Sequence, residues 1–261
     1  MNITERQSEI VALIRGNGFL TIDALAVHFT VTPQTIRRDV NQLCDANILR
    51  RRHGGAELLQ PLTNSPYDSR RITNIGAKQR VGEAVAALIP NHASVLIGIG
   101  STLEQVAVAL QGHDDLTVVT NNLNAAMALS ANRSNRVVIP GGTLRLPDRD
   151  LLGPEVDEMF RSFRADFGLF GVGGIDRDGT LLDFDHAEVA ARVAIRESCR
   201  VSVLAVDVTK FDRTAPAQGG RLGDVDVVVV DDMPRPGLAE MVAAGEVKLV
   251  VASEEEAIDA Q

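Results

Sequence analysis

The stretch TPQTIRRDVNQL, residues 32–43, decides how this chain is read. It places two adjacent arginines on a short helix in a protein whose formal charge is −9. Thr32 is a residue type that caps helices. Pro33 follows at the first helical position, where its missing N–H is no loss. Ile36, Val40, Leu43 and Cys44 then recur at helical spacing and share a face. Gln34, Thr35, Arg38, Asn41 and Gln42 point away from that face, with Arg37 flanking. These are side chains that read base edges: arginine for guanine, asparagine or glutamine for adenine, threonine for the thymine methyl. Taken alone, the face is also what any solvated surface helix presents, so the flanking sequence has to decide.

Upstream, Thr4 with Gln7 three residues on forms a capping box, and Ile10, Leu13 and Ile14 repeat at helical spacing before Gly16 and Gly18 stop the helix. A second helix starts after Thr21 and buries Ile22, Leu25, Ala26 and Phe29. The turn into Thr32 is short, which gives helix–turn–helix spacing. Downstream, residues 48–52 and 56–59 pair as a hairpin around His53-Gly54-Gly55, with glycine supplying positive φ. Such a wing, carrying Arg50, Arg51 and Arg52, grips phosphate or enters a minor groove beside the recognition helix. Residues 1–56 hold seven arginines against five acids, a balance of +2 that leaves −11 for the remaining 205 residues. The arginines are a local basic footprint on an acidic body. The predicted DNA-binding set is Thr32, Gln34, Thr35, Arg37, Arg38, Asn41, Arg50, Arg51, Arg52 and His53.

Composition narrows the rest. The 261 residues suit one small and one larger domain, and 45% apolar residues support a sizeable core. Aromatics are 3%, with no Trp and one Tyr, against a stacking platform for single strands. Cys44 and Cys199 make neither a disulfide framework nor a zinc quartet, so no metal or cofactor is expected and a reducing compartment is. Glu5, Arg6, Glu9 and Arg15 interrupt any leader-like apolar run, and no stretch of 18 apolar residues exists. A cytoplasmic protein without membrane contact is the expectation.

The predicted organisation is a winged helix–turn–helix over 1–58, a linker over 59–75, an α/β domain over 76–252 and an acidic tail over 253–261. After a helix beginning near Ala77 and stopping at Pro90, strands SVLIGI, LTVVT, RVVIP, FGLFGVG, RVSVLAV, VDVVVV and VKLVV alternate with helices, two of them at 188–199 and 237–244. Apolar strands alternating with helices imply a mostly parallel sheet covered on both faces. Ligands in such sheets sit at the carboxyl ends of strands. Four ends attract attention: Gly98, Gly100, Ser101 and Thr102; Thr120, Asn121 and Asn122; Gly141 and Gly142; Gly171, Gly173 and Gly174. Backbone N–H groups and hydroxyls at the first make an anion site. A dinucleotide fingerprint fails, because Leu103 stands where its third glycine belongs, and no Walker A sequence occurs. Asp183, Asp185, His186 and Glu188 gather at a strand-to-helix turn, where carboxylates suit sugar hydroxyls, although Asp185 serves equally as a helix cap. Lys210 follows a strand ending near Asp207 and suits a phosphate.

These motifs resemble the DeoR family of bacterial transcriptional regulators. The resemblance rests on TPQTIRRDV at 32–40 and RRHGGA at 51–56, and then on TNNLN, RADFGLFGVGGID, GTLLDFDHAEV and VDVTKFDRTA, so it covers nearly the whole chain. It implies a C-terminal domain similar to ribose-5-phosphate isomerase that senses a phosphorylated sugar or polyol, glycerol 3-phosphate first among them. The implied effector set is Gly98, Gly100, Ser101, Thr102, Thr120, Asn121, Asn122, Gly141, Gly142, Gly173, Asp183, Asp185, Glu188 and Lys210. One departure stands out: many members have Ser-Lys-Phe-Gly where this chain has Thr209-Lys210-Phe211-Asp212.

The expected function is a repressor, a homodimer or homotetramer on double-stranded operator DNA, released by a small phosphorylated effector. Two other readings stay open at this point. One is a sugar-phosphate isomerase with Asp183, Asp185 or Glu188 as base and Lys210 as electrostatic partner. The other is a DNA-binding module with a domain that only oligomerises. An isomerase has no need of an arginine-bearing recognition helix, and convergent anion loops are unnecessary for mere oligomerisation.

Overall fold

Side-chain caps start the helices of the first unit. The Thr4 hydroxyl accepts from Gln7 N–H while the Gln7 side chain accepts from Thr4 N–H, opening α1 (Glu5–Asn17); Gly18, at φ 77°, closes it. Thr21 ends the short strand β1 (Phe19–Thr21) and caps α2 (Ile22–His28) by accepting from Ala24 N–H. Thr32 caps α3 (Pro33–Asp45), with Pro33 in the first turn. Ile10, Ile14, Leu25, Ile36, Val40 and Leu43 close the core between the three helices. The computed structural model describes residues 4–46, 48–59, 64–233 and 247–252, in two compact units divided between Pro61 and Leu62.

The wing is a three-stranded antiparallel sheet in which β3 (Gly55–Leu58) lies between β1 and β2 (Leu49–Arg52). The sequence reading had the hairpin but missed β1, whose three residues are too few to show a period. It also placed Gly55 in the turn. Arg52 instead pairs with Gly55, so the loop is His53-Gly54 alone, and the two glycines answer different demands. Gly54 supplies φ +76° and has open space around it. Gly55 lies against β1, where a Cβ would meet the Leu20 carbonyl oxygen at 2.2 Å and the Phe19 ring at 2.7 Å.

The second unit is built on a seven-stranded sheet, all parallel, in the order β15-β14-β12-β9-β4-β5-β6. These strands are β4 (Ser94–Ile97), β5 (Thr117–Thr120), β6 (Arg136–Val138), β9 (Ala165–Phe170), β12 (Cys199–Val206), β14 (Val227–Val230) and β15 (Lys248–Val251). All seven were legible as apolar runs. Helices α5 (Ile75–Ala86), α6 (Ser101–Ala109) and α7 (Leu123–Leu129) join one core; α8 (Pro154–Arg161) and α9 (His186–Glu197) join another. Side chains alternate between the two along β4: Val95 and Ile97 enter the first and Leu96 the second, as the period of a strand requires.

Smaller pieces complete the unit. A hairpin, β7 (Leu144–Arg145) with β8 (Asp150–Leu151), stands beside the sheet, and β10 (Gly174–Ile175), β11 (Thr180–Asp183) and β13 (Ala217–Arg221) form an antiparallel patch. Where the sequence suggested a structureless connector, the chain forms α4 (Tyr67–Ile72). Its Tyr67 is 2% exposed, and its hydroxyl donates to Glu104 at 2.7 Å. Six residues give a periodic argument nothing to hold. The expected helix at 237–244 and the acidic tail lie outside the described residues. Among the described residues no helix is long and apolar enough to cross a membrane.

The wing's two glycines are separable by experiment. Gly55→Ala forces backbone against backbone and should destabilise by about 1–3 kcal/mol, whereas Gly54→Ala meets only the left-handed backbone penalty of roughly 1–2 kcal/mol. Hydrogen exchange at the amides of β1 and β3 is the measurement. Gly55→Ala should accelerate exchange in both strands, and Gly54→Ala should leave β1 protected.

Candidate functional site

The polar side of α3 divides into free and committed groups. Asp39, 5% exposed, accepts from Arg6 Nε at 2.7 Å and from Gln7 Nε2 at 3.4 Å. Gln7 also donates to Gln42 Oε1 at 2.6 Å, so Gln42 faces α1 instead of standing free. The Thr35 and Thr32 hydroxyls share a hydrogen bond of 2.9 Å at the helix start. Gln34, Arg37 and Arg38 are exposed, and Asn41 is half-buried. A shallow cleft runs past Arg6, Thr32, Gln34, Thr35, Arg38 and Gln42. On the wing, Arg50 and Arg52 both bind the Glu57 carboxylate, which lies opposite Arg50 in register. Arg51 projects to the other face and reaches the neighbourhood of Cys44. His53 stands exposed at the tip. Arg37 and Arg38 on α3 and Arg50, Arg51 and Arg52 on the wing are thus all exposed, with one carboxylate tempering two of the wing's three.

The second unit contains a cavity whose position follows from strand order. From β4 the chain runs outward through β5 and β6, then returns to β9 on the other side of β4 and continues to β12, β14 and β15. The loops leaving β4 and β9 therefore diverge, and the crevice between them is where open α/β sheets hold ligands. Residues 99–103 follow β4 there, Gly171 and Gly173 follow β9, and Lys210 follows β12. Asp183 and Glu188 line it from the end of β11 and the first turn of α9.

Its charges are mostly paired. Arg145 grips Asp150 with two bonds of 2.8 Å and Glu188 with one of 2.9 Å, which holds its guanidinium above the ordinary range although burial opposes this. Asp183 accepts from Arg192 Nε at 2.9 Å and from Gly173 N–H at 2.8 Å. Arg70 is bound to Asp148. Arg213 donates to Asn64 at 3.1 Å and stacks over the Phe184 ring. Lys210 alone among these cations has no hydrogen-bond or ion-pair partner among the described residues. Burial first, then the nearby Arg213 guanidinium, pushes its pKa down to about 8. Close by, α6 starts at Gly100, φ 118°, without a side-chain cap. The Ser101 and Thr102 hydroxyls, each 6% exposed, have no partner among the described residues. An uncapped helix start, two idle hydroxyls and an unpaired ammonium together make a place for an anion.

Of the effector residues read from sequence, Gly100, Ser101, Thr102, Gly173, Asp183, Glu188 and Lys210 line this cavity. The others stand elsewhere. Thr120 donates to the Ile97 carbonyl at 2.7 Å, and Asn121 donates to the Leu151 carbonyl at 2.8 Å. Asn122 caps α7 and donates to the Gly98 and Gly100 carbonyls at 3.4 and 3.3 Å. These three position the β4–α6 loop and β8 from behind. Gly98 packs under α9, where a Cβ would meet Ile195 at 3.1 Å. Gly141 and Gly142 are exposed, beyond β6. Asp185 is exposed and caps α9 by accepting from Ala187 N–H at 2.9 Å, and His186 is exposed. Sequence reasoning missed Asn64, Tyr67, Arg70, Arg145, Asp148 and Asp150, all in the lining. The spacing of RLPDRD was the available signal for the last three, an arginine with acids three and five residues on. Among the described residues no cluster of His, Cys, Asp or Glu is arranged to hold a metal.

A winged helix–turn–helix with exposed arginines, joined in one chain to an α/β unit holding an anion cavity, is the construction of a ligand-responsive transcriptional regulator. The comparisons agree with that class. Residues 6–61 match the DeoR-like helix-turn-helix domain and residues 73–232 the DeoR C-terminal sensor domain. The chain belongs to the DeoR family, and it is a DNA-binding repressor, not an isomerase. It is 39% identical over 249 residues to the glycerol-3-phosphate regulon repressor of Escherichia coli strain K12, covering 95% of this chain and 99% of that one. It is 42% identical over 246 residues to the protein of that name from Haemophilus influenzae, covering 94% and 96%. Among solved structures, ribose 5-phosphate isomerase A from Neisseria gonorrhoeae is similar at 15% identity over 51% of this chain and 52% of that one, with a TM-score of 0.37.

Lys210 is a group the fold is worse for holding. Its folded pKa lies below the unfolded value of 10.5, so the penalty of burying its charge is complete below about pH 8 and gone above 10.5. Lys210→Met should therefore raise the melting temperature at pH 7, with the gain shrinking as pH climbs towards 10.5. An equal gain at both ends of that range would mean that packing, not charge, is responsible.

Proposed function

We propose that the repressor leaves its operator when a small phosphorylated polyol, glycerol 3-phosphate foremost, enters the cavity between the ends of β4 and β9. The unpaired Lys210 ammonium carries this reading. The phosphate would take Lys210, the Ser101 and Thr102 hydroxyls and the free N–H groups at the start of α6. Asp183 and Glu188, which line the same cavity from β11 and α9, would accept from polyol hydroxyls, since an ionised carboxylate has acceptor sites beyond those its present partners use. The names of the curated relatives support the choice of glycerol 3-phosphate. On DNA, Arg38 with Gln34, Arg37 and Asn41 would read the major groove, while Arg50 to Arg52 and His53 position the wing on the backbone. A unit of this size covers few base pairs, so a homodimer or homotetramer on repeated half-sites is the expected assembly, in the cytoplasm.

The test uses an operator selected by the full chain from randomised DNA. Glycerol 3-phosphate should release it and glycerol should not. Lys210→Met should bind that DNA normally but require roughly tenfold or more effector, the worth of one charge-assisted hydrogen bond. If no phosphate ester releases the wild type, the sensor reading fails. Arg38→Ala should narrow the gap between operator and random DNA by about 1–3 kcal/mol; an unchanged ratio would remove Arg38 from base reading.

Effector affinity should also depend on pH in a defined window. The bound anion raises the pKa of Lys210 from about 8, so affinity is full below that value and fades as pH rises through it. Below about pH 6 the phosphate takes up its second proton and loses charge. Calorimetric titration across pH 5.5 to roughly 9.5 should therefore show tightest binding between about 6 and 8, and Lys210→Met should abolish the alkaline limb.

A further inference from the structure

We propose that Arg70 of α4 is a second anion-binding residue, which exchanges its ion pair with Asp148 for the effector's phosphate and so couples occupancy of the cavity to α4. The inference rests on the functional reading above and goes beyond it, because it assigns a role to a segment that precedes the sheet.

The guanidinium of Arg70 donates from Nε to the Ser65 carbonyl at 2.9 Å and lies over the Tyr67 ring, which leaves its terminal nitrogens for Asp148 and the cavity. Its bond to Asp148 joins α4 to the β7–β8 hairpin. It also lines the cavity together with Lys210. Arg70, Arg213 and Lys210 lie close enough that Arg70 lowers the proton affinity of both others. Arg70 and Lys210 on one crevice, with Arg213 near both and Lys210 unpaired, favour a dianion that the two lining cations can face. An arginine is suited to such an exchange, since its planar fork fits carboxylate and phosphate alike.

The surrounding bonds let the side chain move while the helix stays. Lys78, 4% exposed, donates to the Arg70 and Thr73 carbonyls and holds the end of α4. Tyr67 and Arg71 both bind Glu104 on α6. The Asp148 bond is thus the part of the Arg70 environment that an anion competes with directly. A second pair, Arg149 with Asp68 at 3.2 Å, joins the same hairpin to the same helix without involving Arg70. Removing Arg70 from Asp148 leaves the hairpin held by Arg145 on Glu188, by its bonds to the 121–123 loop and by this exposed pair. Because α4 opens the second unit directly after the stretch leading from the first, a change in its attachment lies where the chain passes between the units.

The experiment measures glycerol 3-phosphate binding to the full-length protein by calorimetry, with Asp148→Asn, Asp68→Asn, Arg70→Lys and Arg70→Ala beside the wild type. Asp148→Asn frees Arg70 from its competitor and should tighten binding about tenfold. Asp68→Asn loosens the same hairpin without freeing Arg70 and should leave affinity unchanged. Arg70→Ala should weaken binding about tenfold or more, with Arg70→Lys recovering part of the loss. Hydrogen exchange at the α4 amides should change on ligand addition in the wild type and not in Arg70→Ala. Equal effects of Asp148→Asn and Asp68→Asn would make this a matter of hairpin looseness and overturn the proposal. So would Asp148→Asn binding like the wild type. A wild type that binds no phosphate ester overturns the parent reading; a wild type that binds, with Arg70→Ala equal to it, overturns this one alone.

Discussion

The second unit depends on a reversal of direction between two adjacent parallel strands, β4 and β9. The chain leaves β4 towards β5 and β6 and leaves β9 towards β12, so neither loop crosses the gap between their carboxyl ends. Close packing beneath the gap fixes what surrounds it. Gly168 in β9 leaves space that a Cβ would lose to Cys199 Sγ at 2.6 Å, and Gly98 lies under Ile195 of α9. With no side chain at either position, α9 settles onto the seam of β4 and β9. Its first turn then brings Glu188 to the cavity wall, and the strand before it brings Asp183. The acidic wall is thus set by the packing of two glycines as much as by the carboxylates themselves.

Charge then fixes the shape of the crevice. A carboxylate or guanidinium removed from water needs a partner with good geometry, and breaking such a pair leaves the remaining charge at a large cost. Arg145 meets this need for Asp150 and Glu188 together and so ties the β7–β8 hairpin to α9. Arg192, 5% exposed, does the same for Asp183 from behind. These pairs keep the acidic wall in place, and the cationic side is left incomplete. A protein optimised only for stability would pair or replace Lys210; a site that gains its counterion from outside cannot.

The sequence disclosed most of the large features because they carry long signals. Seven apolar strands, the capping box at Thr4 and the amphipathic α3 each span enough residues for a period or a cap to register. What it concealed is short or relational. Strand β1 has three residues and α4 has six, too few to reveal a period. The Arg70–Asp148 pair joins residues 78 positions apart, and only the fold makes them neighbours. The TNN loop shows the limit from the other side. Thr120, Asn121 and Asn122 looked like ligand donors because they end a strand, yet the Thr120 hydroxyl and both amide nitrogens donate to backbone carbonyls of β4, the loop after it and β8. A strand end marks the side of the sheet on which a ligand sits, and strand order decides which ends meet there.

The same distinction between residue and geometry settles the departure at Asp212. Its φ is 57°, in the left-handed region where glycine is at ease and where Asp and Asn are the side-chain-bearing residues that enter at least cost. The glycine found there in many family members and the aspartate found here meet one backbone requirement. Before it, Asp207 caps the single turn Val208–Lys210 by accepting from Thr209 N–H at 3.1 Å, and Phe211 bridges to Ile175. The turn that carries Lys210 is therefore held on both sides by backbone bonds that do not involve the Asp212 side chain. That carboxylate faces Arg177, 3.6 Å away. The substitution adds a carboxylate beside Arg177 at a backbone position that either glycine or aspartate can adopt.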